Sequence, residues 1–131
     1  MTTDKIDDFN QKAIALFQAQ LEKYGYILDE IKENEINGTK WSTHHIYLNS
    51  KAGLKLVIIQ EPYNTEYGFS VFIYRLGTTH YNILYNVPHE VQDSQFDFLA
   101  RAFEDLFSTP ETLDLISGKS RKQLGYIAFQ K

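Results

Sequence analysis

Gly53-Leu-Lys-Leu-Val-Ile-Ile-Gln-Glu61, Gly68-Phe-Ser-Val-Phe-Ile-Tyr-Arg-Leu76 and His80-Tyr-Asn-Ile-Leu-Tyr85 are three short runs of β-branched and aromatic residues. Pro62–Tyr67 separates the first two, and Gly77-Thr78-Thr79 separates the second pair. Apolar runs of this length, bounded by Gly and Pro, predict strands joined by short turns. Pairing Ile59 with Ser70 puts Leu54, Leu56, Ile58, Phe69, Val71 and Ile73 on one face. Lys55, Val57, Ile59, Phe72 and Tyr74 then share the other, because strand side chains alternate. Both faces are largely apolar, which predicts a central place in a sheet. The turn at Gly77 leaves two registers open. A two-residue turn sets Tyr81, Ile83 and Tyr85 beside Phe72 and Tyr74; a three-residue turn moves them to the Val71 and Ile73 face.

Upstream, Asn37-Gly38 lies between two extended runs, the strongest short hairpin signal, since a type I′ turn needs positive φ at both central residues. Counting outward sets Ile36 opposite Thr39, Glu35 opposite Lys40, Glu30 opposite His45 and Ile27 opposite Leu48. Ile27, Ile31, Ile46 and Leu48 fall on one face, and Leu28, Glu30, Trp41, His45 and Tyr47 on the other. The charged strand Asp29–Glu35 reads as a sheet edge, where charge discourages edge-to-edge pairing.

Before this hairpin, Ile6, Phe9, Ala13, Leu16, Phe17, Leu21 and Tyr24 recur at three- and four-residue steps, predicting a helix over Thr3–Tyr24 with one apolar stripe. Gly25 suits the left-handed position just past its end. Downstream, Ser94-Gln-Phe-Asp97 resembles a capping box, and Phe96, Leu99, Ala100, Phe103, Leu106 and Phe107 form the stripe of a second helix. Thr109-Pro110-Glu111 opens a short third helix ending at Gly118. The tail Leu124–Phe129 reads as helix in preference to strand. The expectation is one α+β domain over 1–131. It has an N-terminal helix, a five-stranded antiparallel meander and C-terminal helices, arranged as a two-layer sandwich with the helices on one sheet face.

With 131 residues, the chain can bury roughly two thirds of its unfolded surface without disulfide or metal support. Cysteine is absent, removing thiolate chemistry and cysteine zinc sites. The net charge of −4 is spread along the chain, which argues against nucleic acid as a partner. No apolar run approaches the roughly 20 residues of a membrane span, and the N-terminus lacks a signal-peptide pattern. The expected setting is cytoplasmic, with no membrane association.

The catalytic signals are weak. His44 and His45 are adjacent on a strand, so they point to opposite faces and cannot share an ion without a bulge. No Gly-x-Ser-x-Gly elbow occurs. Ser117-Gly-Lys-Ser120 follows a helix and lacks the first glycine of a phosphate loop. No catalytic residue, metal site or cofactor is expected. The stronger feature is the second sheet face, read as Tyr47, Val57, Ile59, Phe72 and Tyr74 with Trp41, His45, Glu30 and Lys55 around it. An apolar patch of more than a few hundred Å² on a soluble protein marks an interaction site, unless the tail or third helix covers it.

The order of elements, in an acidic chain, resembles that of small bacterial binding proteins such as secretion-chaperone-like domains and toxin-immunity proteins. The resemblance lies in layout alone and carries over no functional residue. It implies a non-enzymatic protein-binding role, with another protein or a second copy as partner. The alternative is a small-molecule binder or enzyme with a pocket between sheet and helices, near His45, Glu30 and Trp41.

Overall fold

A computed structural model describes residues 2–60, 67–77, 80–88, 98–119 and 126–127. The elements are helix α1 (Thr2–Lys23), strands β1 (Ile27–Ile36), β2 (Thr39–Asn49), β3 (Leu54–Gln60), β4 (Tyr67–Arg75) and β5 (His80–Pro88), helices α2 (Phe98–Ser108) and α3 (Pro110–Ser117), and a short strand β6 (Tyr126–Ile127). The strands form one antiparallel sheet in the order β1-β2-β3-β4-β5-β6. The fold is α+β, with the helices packed against the sheet. The tail departs from the sequence reading: Tyr126 and Ile127 pair with Tyr81 and His80, so it extends the sheet. The unbroken apolar run Tyr126-Ile-Ala-Phe129 shows no period that separates strand from helix over so short a stretch, and the edge of β5 offers backbone partners. The proposed capping box at Ser94–Asp97 lies outside the described residues.

One cluster of buried side chains joins the layers. Leu54, Leu56, Ile58, Phe69, Val71 and Ile73 supply its sheet side, as alternation predicts. Phe9, Ala13, Phe17 and Leu21 enter from α1, Phe98, Leu99, Ala102 and Leu106 from α2, and Ile116 from α3. Rings concentrate at the helix–sheet contact: Phe69 meets Phe9, Tyr85 and Phe98 at centroid distances of 6.0, 6.4 and 5.1 Å. The buried stripe of α2 differs from the expected one. Ala100 is exposed, while Phe98 and Ala102 are buried. Residues 98, 99, 102 and 106 follow helical spacing equally well, so periodicity alone left the phase of this short helix open.

The helix ends and loops are tied by specific bonds. Gly25 has φ +95°; its N–H bonds the Glu22 carbonyl at 3.1 Å and the Tyr26 N–H bonds the Leu21 carbonyl at 3.1 Å, the two bonds of a Schellman ending. The buried Asn49 amide donates to the Tyr24 carbonyl at 2.9 Å and accepts from the Ala52 N–H at 3.0 Å. It therefore joins the end of α1 to the β2–β3 loop. Tyr26 is fully buried and donates its hydroxyl to the Ile116 carbonyl at 2.7 Å, anchoring α3. Burial pushes that phenol well above its ordinary pKa.

Gly38 and Gly118 both have left-handed backbone, with φ +80° and +79°. They differ in surroundings: a Cβ at Gly38 meets nothing within 4 Å, whereas one at Gly118 comes to 2.9 Å from Ala52 Cβ. Gly38→Ala should cost about 1 kcal/mol from backbone strain, and Gly118→Ala about 2–3 kcal/mol as steric conflict adds to it. Urea unfolding of the two variants checks this; equal costs would show that the contact with Ala52 relaxes freely.

Candidate functional site

The register determines what each face carries. β3 and β4 pair as expected, with Ile59 opposite Ser70. The turn hairpin also starts as expected, Ile36 opposite Thr39 and Glu35 opposite Lys40, and ends as expected, Ile27 opposite Leu48. Between those ends, two irregularities shift the pairing by one. One lies between Asn34 and Glu35 and the other between Leu28 and Glu30, so Ile31, and not Glu30, faces His45. A bulge adds a residue to one strand; two on opposite strands cancel and leave the ends in register.

The β2–β3 pairing sets Tyr47 opposite Leu56 and His45 opposite Ile58. Tyr47 and His45 therefore lie on the helix-covered side, each with 0% exposure, and do not join Val57, Ile59, Phe72 and Tyr74. Ile46 and Leu48, read from sequence as core-facing, take their place on the outer face. Glu30, opposite Ile46, is on that outer face as expected, so Glu30 and His45 stand on opposite faces of the sheet. The side chain of Trp41 lies outside the described residues.

The outer face can be followed in rows across the sheet. Ile27, Leu48, Lys55, Tyr74 and Tyr81 form one row. Glu30, Ile46, Val57, Phe72 and Ile83 form the next, and Lys32, His44, Ile59, Ser70 and Asn86 a third. Tyr81 and Ile83 thus stand where a two-residue turn at Gly77 would put them. A bulge between the Val71 and Phe72 pairs then sends Tyr85 to the core side, against Phe69. Each reading of that turn was right for part of β5.

Among the described residues, no helix lies on this outer face; all three helices send side chains into the buried cluster on the other side. Its centre is aromatic. Phe72 stands 6.2 Å from Tyr74 and 5.7 Å from Tyr81, and Tyr74 stacks on Tyr81 at 5.5 Å. The Lys55 ammonium sits 4.7 Å from the centre of the Tyr74 ring, a cation–π contact. Burial, then the neighbouring Tyr81, raises the Tyr74 phenol above its ordinary pKa. Val57 is nearly buried under its larger neighbours, while Ile83 is 38% and Ile27 70% exposed. Sequence reasoning missed Ile46, Leu48 and Ile27 here, whereas one of the two turn readings placed Tyr81 and Ile83 on this face. The β2–β3 register is the signal that would have placed the first two.

A second polar group lies under α1. The Asn10 amide nitrogen donates to Glu33 Oε2 at 2.8 Å, which fixes its oxygen toward β2. That oxygen accepts from the Thr43 hydroxyl at 2.9 Å and lies 2.6 Å from His45 Nε2. An amide oxygen only accepts, so Nε2 carries the imidazole proton. Lys40 bridges Asp7 at 2.8 Å and Glu33 at 3.3 Å, and these bonds raise its pKa, the one to Asp7 most. The group cross-links α1 to both strands of the first hairpin. His45 is held neutral, its pKa pushed down to about 4 by burial and secondarily by His44.

No described helix is long and apolar enough to cross a membrane. Comparison with protein-family models, with curated proteins and with solved structures finds no match in any of the three.

Proposed function

We propose that this chain is a protein-binding domain whose binding surface is the outer sheet face, centred on Phe72, Tyr74 and Tyr81. The observation that supports this reading is the continuous aromatic and aliphatic surface over the four strands β2 to β5, with no described helix packed on it. Aromatic side chains with polar tips suit such a surface, since each buries a large apolar area and keeps a group that can bond a partner or water. Lys55 and Glu30 provide charge at the margin, where it steers orientation more than it adds affinity. The partner is another polypeptide, either a second copy of this chain or a protein of different sequence. The surface comprises Ile46, Leu48, Lys55, Val57, Ile59, Phe72, Tyr74, Tyr81 and Ile83; Tyr47 and His45 are core residues.

The double variant Phe72→Glu with Tyr74→Lys tests the proposal. It should keep the far-ultraviolet circular dichroism and cooperative unfolding of the wild type. Light scattering at micromolar concentration should find a wild-type dimer dissociated by the two changes if the partner is a second copy. If the wild type is monomeric, its exposed face should bind an apolar dye such as anilinonaphthalene sulfonate, and the variant should not. A double variant that unfolds makes the face internal core. A monomer that binds no dye leaves no accessible apolar surface and sinks the reading.

A further inference from the structure

His45 lies in the interface between α1 and β2, fully buried, with Nε2 bonded to Asn10 and Nδ1 without a hydrogen-bond partner among the described residues. We propose that His45 makes the docking of the first half of α1 an acid-sensitive latch. The interface accommodates the neutral ring with its proton on Nε2 and, among the described residues, has no acceptor for a second proton on Nδ1. Protonation would create an imidazolium whose Nδ1–H is buried beside apolar atoms, a costly arrangement for a charged donor.

The groups facing His45 agree with this. From α1 come the Phe9 ring, 5.7 Å from the imidazole, and the Asn10 oxygen. The carboxylates of Asp7 on α1 and Glu33 on β1 are engaged by Lys40, and Glu33 also by Asn10, so neither is offered to Nδ1. On β2, Thr43 shares the Asn10 oxygen, while His44 adds like charge when protonated. Across the sheet, Ile58, Val71 and Tyr85 continue the His45 row; burial, then Asp105, raises the Tyr85 phenol above its ordinary pKa, so it carries no charge here.

The sign follows from the two end states. Unfolded, the ring titrates near its ordinary 6.5; folded, near 4. Between these values the unfolded or undocked chain binds more protons. The stabilising contribution is therefore complete above pH 6.5 and shrinks as pH falls, by up to about tenfold in the docking equilibrium per pH unit.

Residue-resolved hydrogen exchange, expressed as protection factors, reads the latch directly. From pH 7 to pH 5, wild-type amides from Phe9 to Phe17 should lose about tenfold or more in protection, ahead of those of β3 and β4. His45→Gln keeps a side-chain N–H for Asn10 and removes the titration, so it should retain protection at pH 5. Equal losses in both proteins would assign the effect to carboxylates and overturn the proposal. Should His45→Gln fail to fold, imidazole nitrogen resonances of the wild type decide. The ring should stay neutral, with its proton on Nε2, while α1 remains protected. A ring that charges near pH 6.5 with α1 still protected overturns the latch.

Discussion

Phe69→Ala should lower the unfolding free energy by about 3–5 kcal/mol, a large share of the roughly 5–15 kcal/mol typical of a domain. Phe69 is 0% exposed and is the ring at which all the layers meet, touching Phe9 of α1, Phe98 of α2 and Tyr85 of β5. Truncation removes the ring from the apolar interior and leaves a cavity whose walls belong to three separate elements. Such walls close only if a helix moves against the sheet, so relaxation recovers little. Each aromatic contact also contributes about 0.5–1.5 kcal/mol beyond its buried area. The measurement is urea unfolding, with a lower midpoint and an unchanged slope. Ile83→Ala, at a site 38% exposed on the outer face, is the control and should cost less than about 1 kcal/mol. A loss at Phe69 no larger than that at Ile83 would mean that the helices do not pack on the Leu56, Ile58 and Val71 side in solution.

The second large effect is expected at Asn10. Asn10→Leu has similar volume but leaves the Thr43 hydroxyl and the His45 Nε2–H without their acceptor, and Glu33 without one of its donors. Thr43 and His45 are both buried, so water does not readily replace the lost oxygen. Unmet buried polar groups cost about 1–3 kcal/mol each, while the apolar leucine side chain offsets part of that loss. The net loss should be about 2–4 kcal/mol at pH 7. A double-mutant cycle with Thr43→Val separates the hydrogen bond from the packing, since the combined loss should fall short of the sum. Additive losses would show that Asn10 and Thr43 do not share a bond. Lys40 offers a contrast: its bridges to Asp7 and Glu33 lie at the surface, where solvent screens them, and Lys40→Met should leave the urea midpoint nearly unchanged.

How much of this was legible in the chain differs from strand to strand. The β3–β4 hairpin was readable in full, including its register, because both faces are apolar and the intervening loop leaves one pairing that keeps all six core residues together. Helix α3 was readable from Pro110 to Gly118, although Thr109 makes no side-chain cap bond in the structure. The outer face was only half readable. Val57, Ile59, Phe72 and Tyr74 were found, but Tyr47 and His45 were assigned to it in place of Leu48 and Ile46. On hydrophobicity alone, Ile46 and Leu48 are the better core candidates. The structure instead buries a tyrosine and a histidine. Tyr47 has a buried hydroxyl with no partner among the described residues, and burial, then Glu22, lifts its pKa to about 12. His45 finds Asn10, a residue 35 positions away on a helix, which no local pattern in β2 announces.

Legible in the chain alone were the order of elements from α1 to α3, the hairpin at Asn37-Gly38, the left-handed ending at Gly25 and the buried side of the β3–β4 hairpin. Each depends on local chemistry: backbone conformations that few residues tolerate, or an apolar period repeated within one element. Which side of β2 meets the helices, where β1 and β5 bulge, and the pairing of Tyr126 and Ile127 with β5 all depend on contacts between segments far apart in the chain. Side chains alternate every residue, so the face a strand presents depends on its pairing partner, and a shift of one residue reverses it. That shift was set by the Asn49-to-Leu54 pairing and by bulges near Trp41 and Asp29, where contacts between distant segments outweigh local preference.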